Sequence, residues 1–353
     1  MSGKWEEYVR RVKPYVPGEQ PVVTDNLIKL NTNENPYPPA PGVQKVLQNM
    51  DAEKLRLYPN PDAKALVKEL SSFYGIDEDR IFTGVGSDDV LGMCFLTFFN
   101  SDKPVLFADI TYSFYDVWAE LFNIPYEKKM LDDNFRLVKE DYLTDNGGIV
   151  IANPNAPTGE YVDIDFIEDI VKNNQDSIVI VDEAYIDFGA KSAVGLIDKY
   201  ENVIIVQTFS KSRSMAGMRI GYCFGSKKVI DALKAVKFSY NSYTMSMATI
   251  ETGVEALKDR KYFEEITAKI IATRERTKKE LKRLGFSFPD SMTNFIFATH
   301  NKVPAKEIMS MLRENEIFVR YFNAPRIDNY LRITIGTDEQ MDKLISVLDA
   351  YLS

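Results

Sequence analysis

Four short apolar runs constrain the fold of this 353-residue chain more than any other feature: Pro104-Val105-Leu106-Phe107, Ile149-Val150-Ile151, Ile178 to Val181 and Val203 to Val206. Runs this rich in Val and Ile read as strands buried on both faces, the condition of a parallel sheet covered by helices. Candidate helices alternate with them, so the order reads as α/β with a mostly parallel sheet. In open sheets of this kind ligands collect outside the carboxyl ends of the strands.

Chemistry-bearing residues follow two of these runs. Ile178 to Val181 ends in Asp182-Glu183-Ala184-Tyr185, and the strand around Val203 runs through Thr208-Phe209-Ser210 into Lys211. Two neighbouring strand ends therefore present a carboxylate, a phenol and an amine. Thr208, Ser210 and Arg219 add two hydroxyls and a guanidinium suited to a phosphate. A second anion site is written where Arg80-Ile81-Phe82-Thr83 turns through Gly84-Val85-Gly86-Ser87-Asp88 into a helix whose first N–H groups would face an anion. Alone, a lysine beyond a strand is ordinarily solvated, and a Gly-x-Gly turn is ordinarily a tight connection. Together, an amine for a Schiff base, a carboxylate for a pyridinium nitrogen and a phosphate cradle are what pyridoxal 5'-phosphate requires of a protein.

The motifs Asn153-Pro154-Asn155-Ala156-Pro157-Thr158-Gly159, Asp182-Glu183-Ala184-Tyr185, and Ser210-Lys211 with Ala216-Gly217-Met218-Arg219 resemble the fold-type I, class II pyridoxal-phosphate-dependent aminotransferases. Lys13-Pro14-Tyr15-Val16-Pro17-Gly18, Leu30-Asn31-Thr32-Asn33-Glu34-Asn35-Pro36, Leu57-Tyr58-Pro59 and Leu331-Arg332-Ile333-Thr334-Ile335-Gly336 bring the resemblance closest to the histidinol-phosphate aminotransferase family, over nearly the whole chain. The resemblance implies that Lys211 holds the cofactor aldehyde and, once freed, carries the proton, a task for a lysine with a lowered pKa. It further implies that Asp182 keeps the pyridine nitrogen protonated, that Tyr185 donates to the cofactor's phenolate oxygen, and that Tyr112 lies against the ring face. Gly86, Ser87, Asp88, Thr208, Ser210 and Arg219 are the expected phosphate-side residues. Tyr58 would reach the cofactor phosphate of the other subunit, making the protein a homodimer with shared active sites.

Arg320 and Arg332, in two alternating strand-like segments, are implied to bind the anionic tails of histidinol phosphate and glutamate, with Tyr15 and Asn33 as further substrate-side residues. Without the motif context, surface ion pairs are the favoured reading for either arginine. One position departs from the family pattern. Asparagine ordinarily stands immediately before Pro-Thr-Gly and donates to the phenolate oxygen, but here the residue is Ala156. Asn155 is the expected stand-in, although adjacent side chains of an extended segment point opposite ways.

The implied function is amino-group exchange between L-histidinol phosphate and 2-oxoglutarate in histidine synthesis. A phosphothreonine decarboxylase or aromatic amino acid aminotransferase on the same fold is the alternative, and a catalytically silent binding or regulatory protein is a third reading. The expected layout is a proline-punctuated N-terminal arm over 1–40, a large cofactor-binding domain over 41–260, and a smaller α+β domain over 261–353. A long amphipathic helix over Tyr262 to Leu284 leads into the last.

Composition narrows the alternatives. A formal charge of −9 argues against a general nucleic-acid binder. Cys94 and Cys223 offer neither a disulfide framework nor a four-cysteine metal site, and no metal is expected. His300, the single histidine, reads as a strand-end residue, which disfavours serine–histidine hydrolysis. Met1 to Glu7 shows no signal-peptide core and no apolar run reaches spanning length, so a soluble cytoplasmic protein is expected.

Overall fold

The computed structural model describes residues 4–353. A short strand β1 (Ile28–Leu30) precedes helices α1 (Pro41–Gln48) and α2 (Lys64–Tyr74). Then follow β2 (Ile81–Gly84), α3 (Ser87–Phe98), β3 (Val105–Ala108), α4 (Phe114–Phe122), β4 (Tyr126–Lys129), β5 (Gly148–Ala152), α5 (Ile164–Asn173), β6 (Val179–Asp182) and β7 (Val203–Thr208). After β8 (Gly221–Phe224) come α6 (Lys227–Tyr240), α7 (Met247–Lys258) and α8 (Arg260–Arg283). The chain closes with β9 (Phe286–Ser287), β10 (Phe295–His300), α9 (Ala305–Glu314), β11 (Ile317–Tyr321), β12 (Leu331–Thr334) and α10 (Asp338–Leu352).

Seven strands form the larger sheet in the order β2-β8-β7-β6-β5-β3-β4, parallel except for β8. Its central strands bury both faces, as their unbroken apolar runs require. Ile149, Ile151, Val179, Val181, Val203 and Ile205 pack with residues of α1, α2, α5 and α7 on one face. Val150, Ile180, Ile204 and Val206 pack with residues of α3, α4 and α6 on the other. Each such side chain contributes roughly 1.5–3 kcal/mol on burial. The edge strand β4 was not legible in advance, because its Tyr-Glu-Lys-Lys sequence is mostly solvated and carries no continuous apolar run.

The smaller sheet has the order β1-β11-β12-β10-β9. β1, drawn from the proline-rich N-terminal stretch, joins it parallel to β11, and the remaining pairs are antiparallel. Ile296, Ala298, Val319, Leu331 and Ile333 share a core with residues of α8, α9 and α10. Helix α8 buries Ile266, Ile270, Thr277 and Leu281 along one stripe, the amphipathic pattern expected there. The opposite face carries Phe297, which packs with Ala108 at the end of β3 and with Ile110 just beyond it. Arg332 pairs in register with both Phe297 and Arg320, so the three side chains share that face, turned toward the larger sheet.

The turn between β2 and α3 lies directly on β8. A side-chain carbon at Gly221 would overlap the backbone of Gly86 and Ser87, which cannot swing away. Gly221→Ala should therefore destabilise the protein by roughly 1–3 kcal/mol, read as a lowered urea midpoint with an unchanged slope.

Candidate active site

The register Ala152–Asp182 and Asp182–Val206 sets the carboxyl ends of β5, β6 and β7 side by side. The cleft at that edge is lined by Ser87, Asp88, Tyr112, Ala156, Asp182, Tyr185, Thr208, Ser210, Lys211 and Arg219, among others, and holds about 660 Å³ including the solvent at its mouth. A second hollow continues from it, sharing Tyr112, Ala156, Tyr185 and Lys211, and is lined further on by Tyr15, Asn33, Arg320, Phe322 and Arg332. Together they form one site with two ends.

Lys211 sits where the two ends meet. Its amine makes one long contact, 3.5 Å to the carbonyl oxygen of Thr32, and lies 5.6 Å from the centre of the Tyr185 ring. Asp182, only 6% exposed, accepts a hydrogen bond from the Tyr115 hydroxyl at 2.7 Å and one from the Ala184 amide at 3.2 Å. Burial pushes its carboxyl up to about 6, and the Tyr115 and Ala184 bonds only partly oppose that. A buried carboxylate lacking a cation is the partner that a protonated pyridine nitrogen would seek.

The phosphate side is built around the start of α3. Helix α3 begins at Gly86 with no side-chain cap, so its first N–H groups are not satisfied by a side chain. Gly86 has φ of 87°, and a side chain there would overlap the Arg219 guanidinium. Arg219 donates to Ser210 Oγ at 3.4 Å and to Asp88 Oδ2 at 3.3 Å, while Thr208 Oγ1 lies 3.0 Å from Ser210 Oγ. The Asp88 carboxylate also accepts from the Tyr112 hydroxyl at 2.7 Å. Asp88 can therefore serve an anion only through its backbone N–H, since its own charge repels one. The free N–H groups, two hydroxyls and the guanidinium fit a phosphate.

At the other end, Arg332 donates to Asn31 O at 3.2 Å, and its Nε is buried without a partner. Burial lowers its pKa, with the neighbouring Arg320 acting in the same direction. Both guanidiniums lie 5.6 Å from the centre of the Phe322 ring. Neither forms an ion pair among the described residues, so the surface-pair reading does not describe them. Tyr15 stacks on Phe114 with centroids 4.2 Å apart at the rim.

Two expected cofactor contacts are not assembled within this chain. Asn155 faces away from the cleft: its amide donates to Ile110 O and Thr158 Oγ1, each at 2.9 Å, and its carbonyl accepts from Thr111 Oγ1 at 2.8 Å. With both N–H groups committed, it cannot replace the donor missing at Ala156, and the expectation is corrected accordingly. Tyr58 is 80% exposed and packs against Tyr243 at 4.6 Å, outside the cleft of its own chain. Tyr115 and Phe322 were missed by sequence reasoning. Phe322 lies two residues beyond Arg320, on the same side of an extended segment, which is the signal that could have found it.

The Asp182 shift carries a stability consequence. Its carboxyl rises from an ordinary 3.8 to about 6, so the stability it contributes is fully present below about pH 3.8 and is lost as pH rises through 6. Asp182→Asn, uncharged throughout, should gain on the cofactor-free wild type as pH rises from about 4 to 7, by at most about 3 kcal/mol. Urea titrations across that range measure the difference, and a constant gap would defeat the assignment.

The aminotransferase class I and II family model matches residues 25–348. The histidinol-phosphate aminotransferase of Lactococcus lactis subsp. cremoris is 51% identical over 99% of this chain and 98% of its own length. That of Clostridium beijerinckii is 48% identical over 100% of this chain and 98% of its own. Among solved structures, histidinol-phosphate aminotransferase from Sinorhizobium meliloti in complex with pyridoxal-5'-phosphate superposes with a TM-score of 0.85 at 24% identity, covering 92% of this chain and 90% of that one. L-threonine-O-3-phosphate decarboxylase from Porphyromonas gingivalis superposes at 0.78 with 21% identity, over 92% and 99%. At such identities the structural likeness shows the fold, which both share. The full-length sequence relatives carry the assignment further: the chain belongs to the class I and II aminotransferases and, within them, to the histidinol-phosphate aminotransferases.

Proposed function

We propose that this chain exchanges an amino group between L-histidinol phosphate and 2-oxoglutarate, using pyridoxal 5'-phosphate joined to Lys211. The observation that carries the reading is the position of an uncommitted Lys211 amine between a phosphate-fitting end and an end holding two arginines without acidic partners. When bound, the cofactor supplies an electron sink for the carbon that carries the amino group. Lys211 would hold the aldehyde carbon and, once displaced by the incoming amine, move a proton to and from the substrate carbon through Nζ. The Asp182 carboxylate would hold the pyridinium proton, Tyr115 keeping it oriented. Ser87, Thr208, Ser210 and Arg219 would bind the cofactor phosphate, and Tyr112 would cover the ring.

Arg320 and Arg332 would bind the phosphate of histidinol phosphate in one half-reaction and carboxylate of glutamate in the other. Both anions suit guanidinium forks. The ring of Phe322, 5.6 Å from each guanidinium, would offer both an apolar wall. In this reading residues 41–260 hold the cofactor, and 261–353 supply the arginines.

The protein is also proposed to act as a homodimer in which Tyr58 completes the partner's site. Support comes from the exposure of Tyr58 together with its contact Tyr243 and its chain neighbours Leu55 and Leu57, all solvent-facing in the single chain. Sedimentation should return the mass of two chains, and full activity in a monomeric preparation would exclude the shared site. No helix among the described residues is long and apolar enough to cross a membrane.

The deciding experiment adds histidinol phosphate, without any keto acid, to protein loaded with pyridoxal phosphate. The visible band should convert to that of the amino form and return on addition of 2-oxoglutarate. A band that ignores histidinol phosphate but responds to phosphothreonine or phenylalanine would overturn the substrate assignment. Arg332→Ala should lower kcat/KM for histidinol phosphate roughly 10- to 150-fold, the worth of a charged hydrogen bond, mainly through KM.

A further inference from the structure

The hollow lined by Ala156 and Tyr185 is also lined by Asn33, which belongs to a buried polar chain. Asn33 is 1% exposed and has φ of 57°, a left-handed conformation that asparagine tolerates. Its carbonyl accepts from Asn294 Nδ2 at 3.0 Å, and its backbone N–H donates to Thr334 Oγ1 at 3.0 Å. The Thr334 hydroxyl donates in turn to Asn33 Oδ1 at 3.1 Å. Asn33 Nδ2 then donates to the Tyr185 hydroxyl oxygen at 2.8 Å.

Proton accounting fixes the direction of this chain. A hydroxyl carries one proton. If the Asn33 amide were reversed, Thr334 would receive two donors and its own proton would lack an acceptor. In this orientation the Thr334 hydroxyl and Asn33 Oδ1 satisfy each other, and the Tyr185 proton, at the cleft, is left without a protein acceptor. Ala156, in the same cleft lining, offers only a methyl group, and the Asn155 amide is fully committed elsewhere.

We propose that Asn33 is a positioning residue that turns the Tyr185 proton toward the cofactor's ring oxygen, compensating through Tyr185 for the donor missing at Ala156. The inference rests on the cofactor reading above. Asn33 thereby ties the smaller sheet, through Thr334 and Asn294, to the charge on the cofactor. Donation to the anionic ring oxygen favours the unprotonated state of the nitrogen linking Lys211 to the cofactor, and so lowers the pH at which that nitrogen loses its proton.

The test is a pH titration of the visible absorbance of cofactor-loaded full-length protein, with Lys211→Ala as the control for the band. Tyr185→Phe should raise the midpoint by about one to two pH units, the worth of one hydrogen bond to a charged group. Asn33→Ala and Thr334→Val should each raise it by a smaller amount, and Asn33→Ala should add nothing in the Tyr185→Phe background. Ala156→Asn should lower the midpoint in wild type and restore it in Asn33→Ala. The Thr334 and Ala156 variants keep the test open if Asn33→Ala does not fold. An Asn33→Ala midpoint at or below that of wild type, or an equal shift with and without Tyr185, overturns the inference while leaving the cofactor reading intact. Loss of any Lys211-dependent band overturns both.

Discussion

The parallel register of β6 against β5 and β7 places Asp182 in one row with Ala152 and Val206, and the site is built outward from that row. Hydrophobic burial of both faces of these strands holds the edge rigid, and it also determines what Asp182 experiences. Its side chain falls on the face covered by α3 and α4, so it leaves water and meets the Tyr115 hydroxyl. The adjacent Glu183 points to the other face, where Ser192, Ala193 and Gln207 satisfy it. Two neighbouring acids thus acquire different tasks through strand alternation alone.

Charge is organised locally in an acidic molecule. The chain carries a net charge of −9, yet its cleft contains three arginines within reach of anions. Arg219 is held in place by Asp88, at modest cost because both remain partly solvated. Arg332 is more demanding, since its buried Nε has no partner. An unsatisfied buried donor costs roughly 1–3 kcal/mol, a cost that an arriving anion would relieve.

The smaller sheet contributes one face to its own helices and the other to the cleft. Arg320 and Arg332 reach the site because their strands pair antiparallel in a register that sets them side by side. Arg326, nearby in sequence, instead bonds Asp109 and the carbonyls of Leu131 and Asp132, fastening this region to the segments after β3 and β4. Three arginines within a dozen or so residues therefore divide between lining the cleft and tying the fold together according to backbone position.

Much of this was legible in the chain itself. Continuous Val and Ile runs announced the central strands, and Lys211, Asp182, Ser87 and Arg219 stood at strand or helix ends where local patterning alone brings chemistry to an edge. The solvated edge strand β4 lacked that signal. The orientation of Asn155, the bond from Tyr115 to Asp182, and the bond from Asn33 to Tyr185 were equally hidden, the last joining residues 152 positions apart. Sequence by itself determined the order of elements, their buried faces and the kinds of functional group at their ends, because these follow from periodicity and residue chemistry. Only the tertiary structure decided which polar groups meet, since a hydrogen bond depends on positions within a few tenths of an ångström that are set by the packing of distant elements.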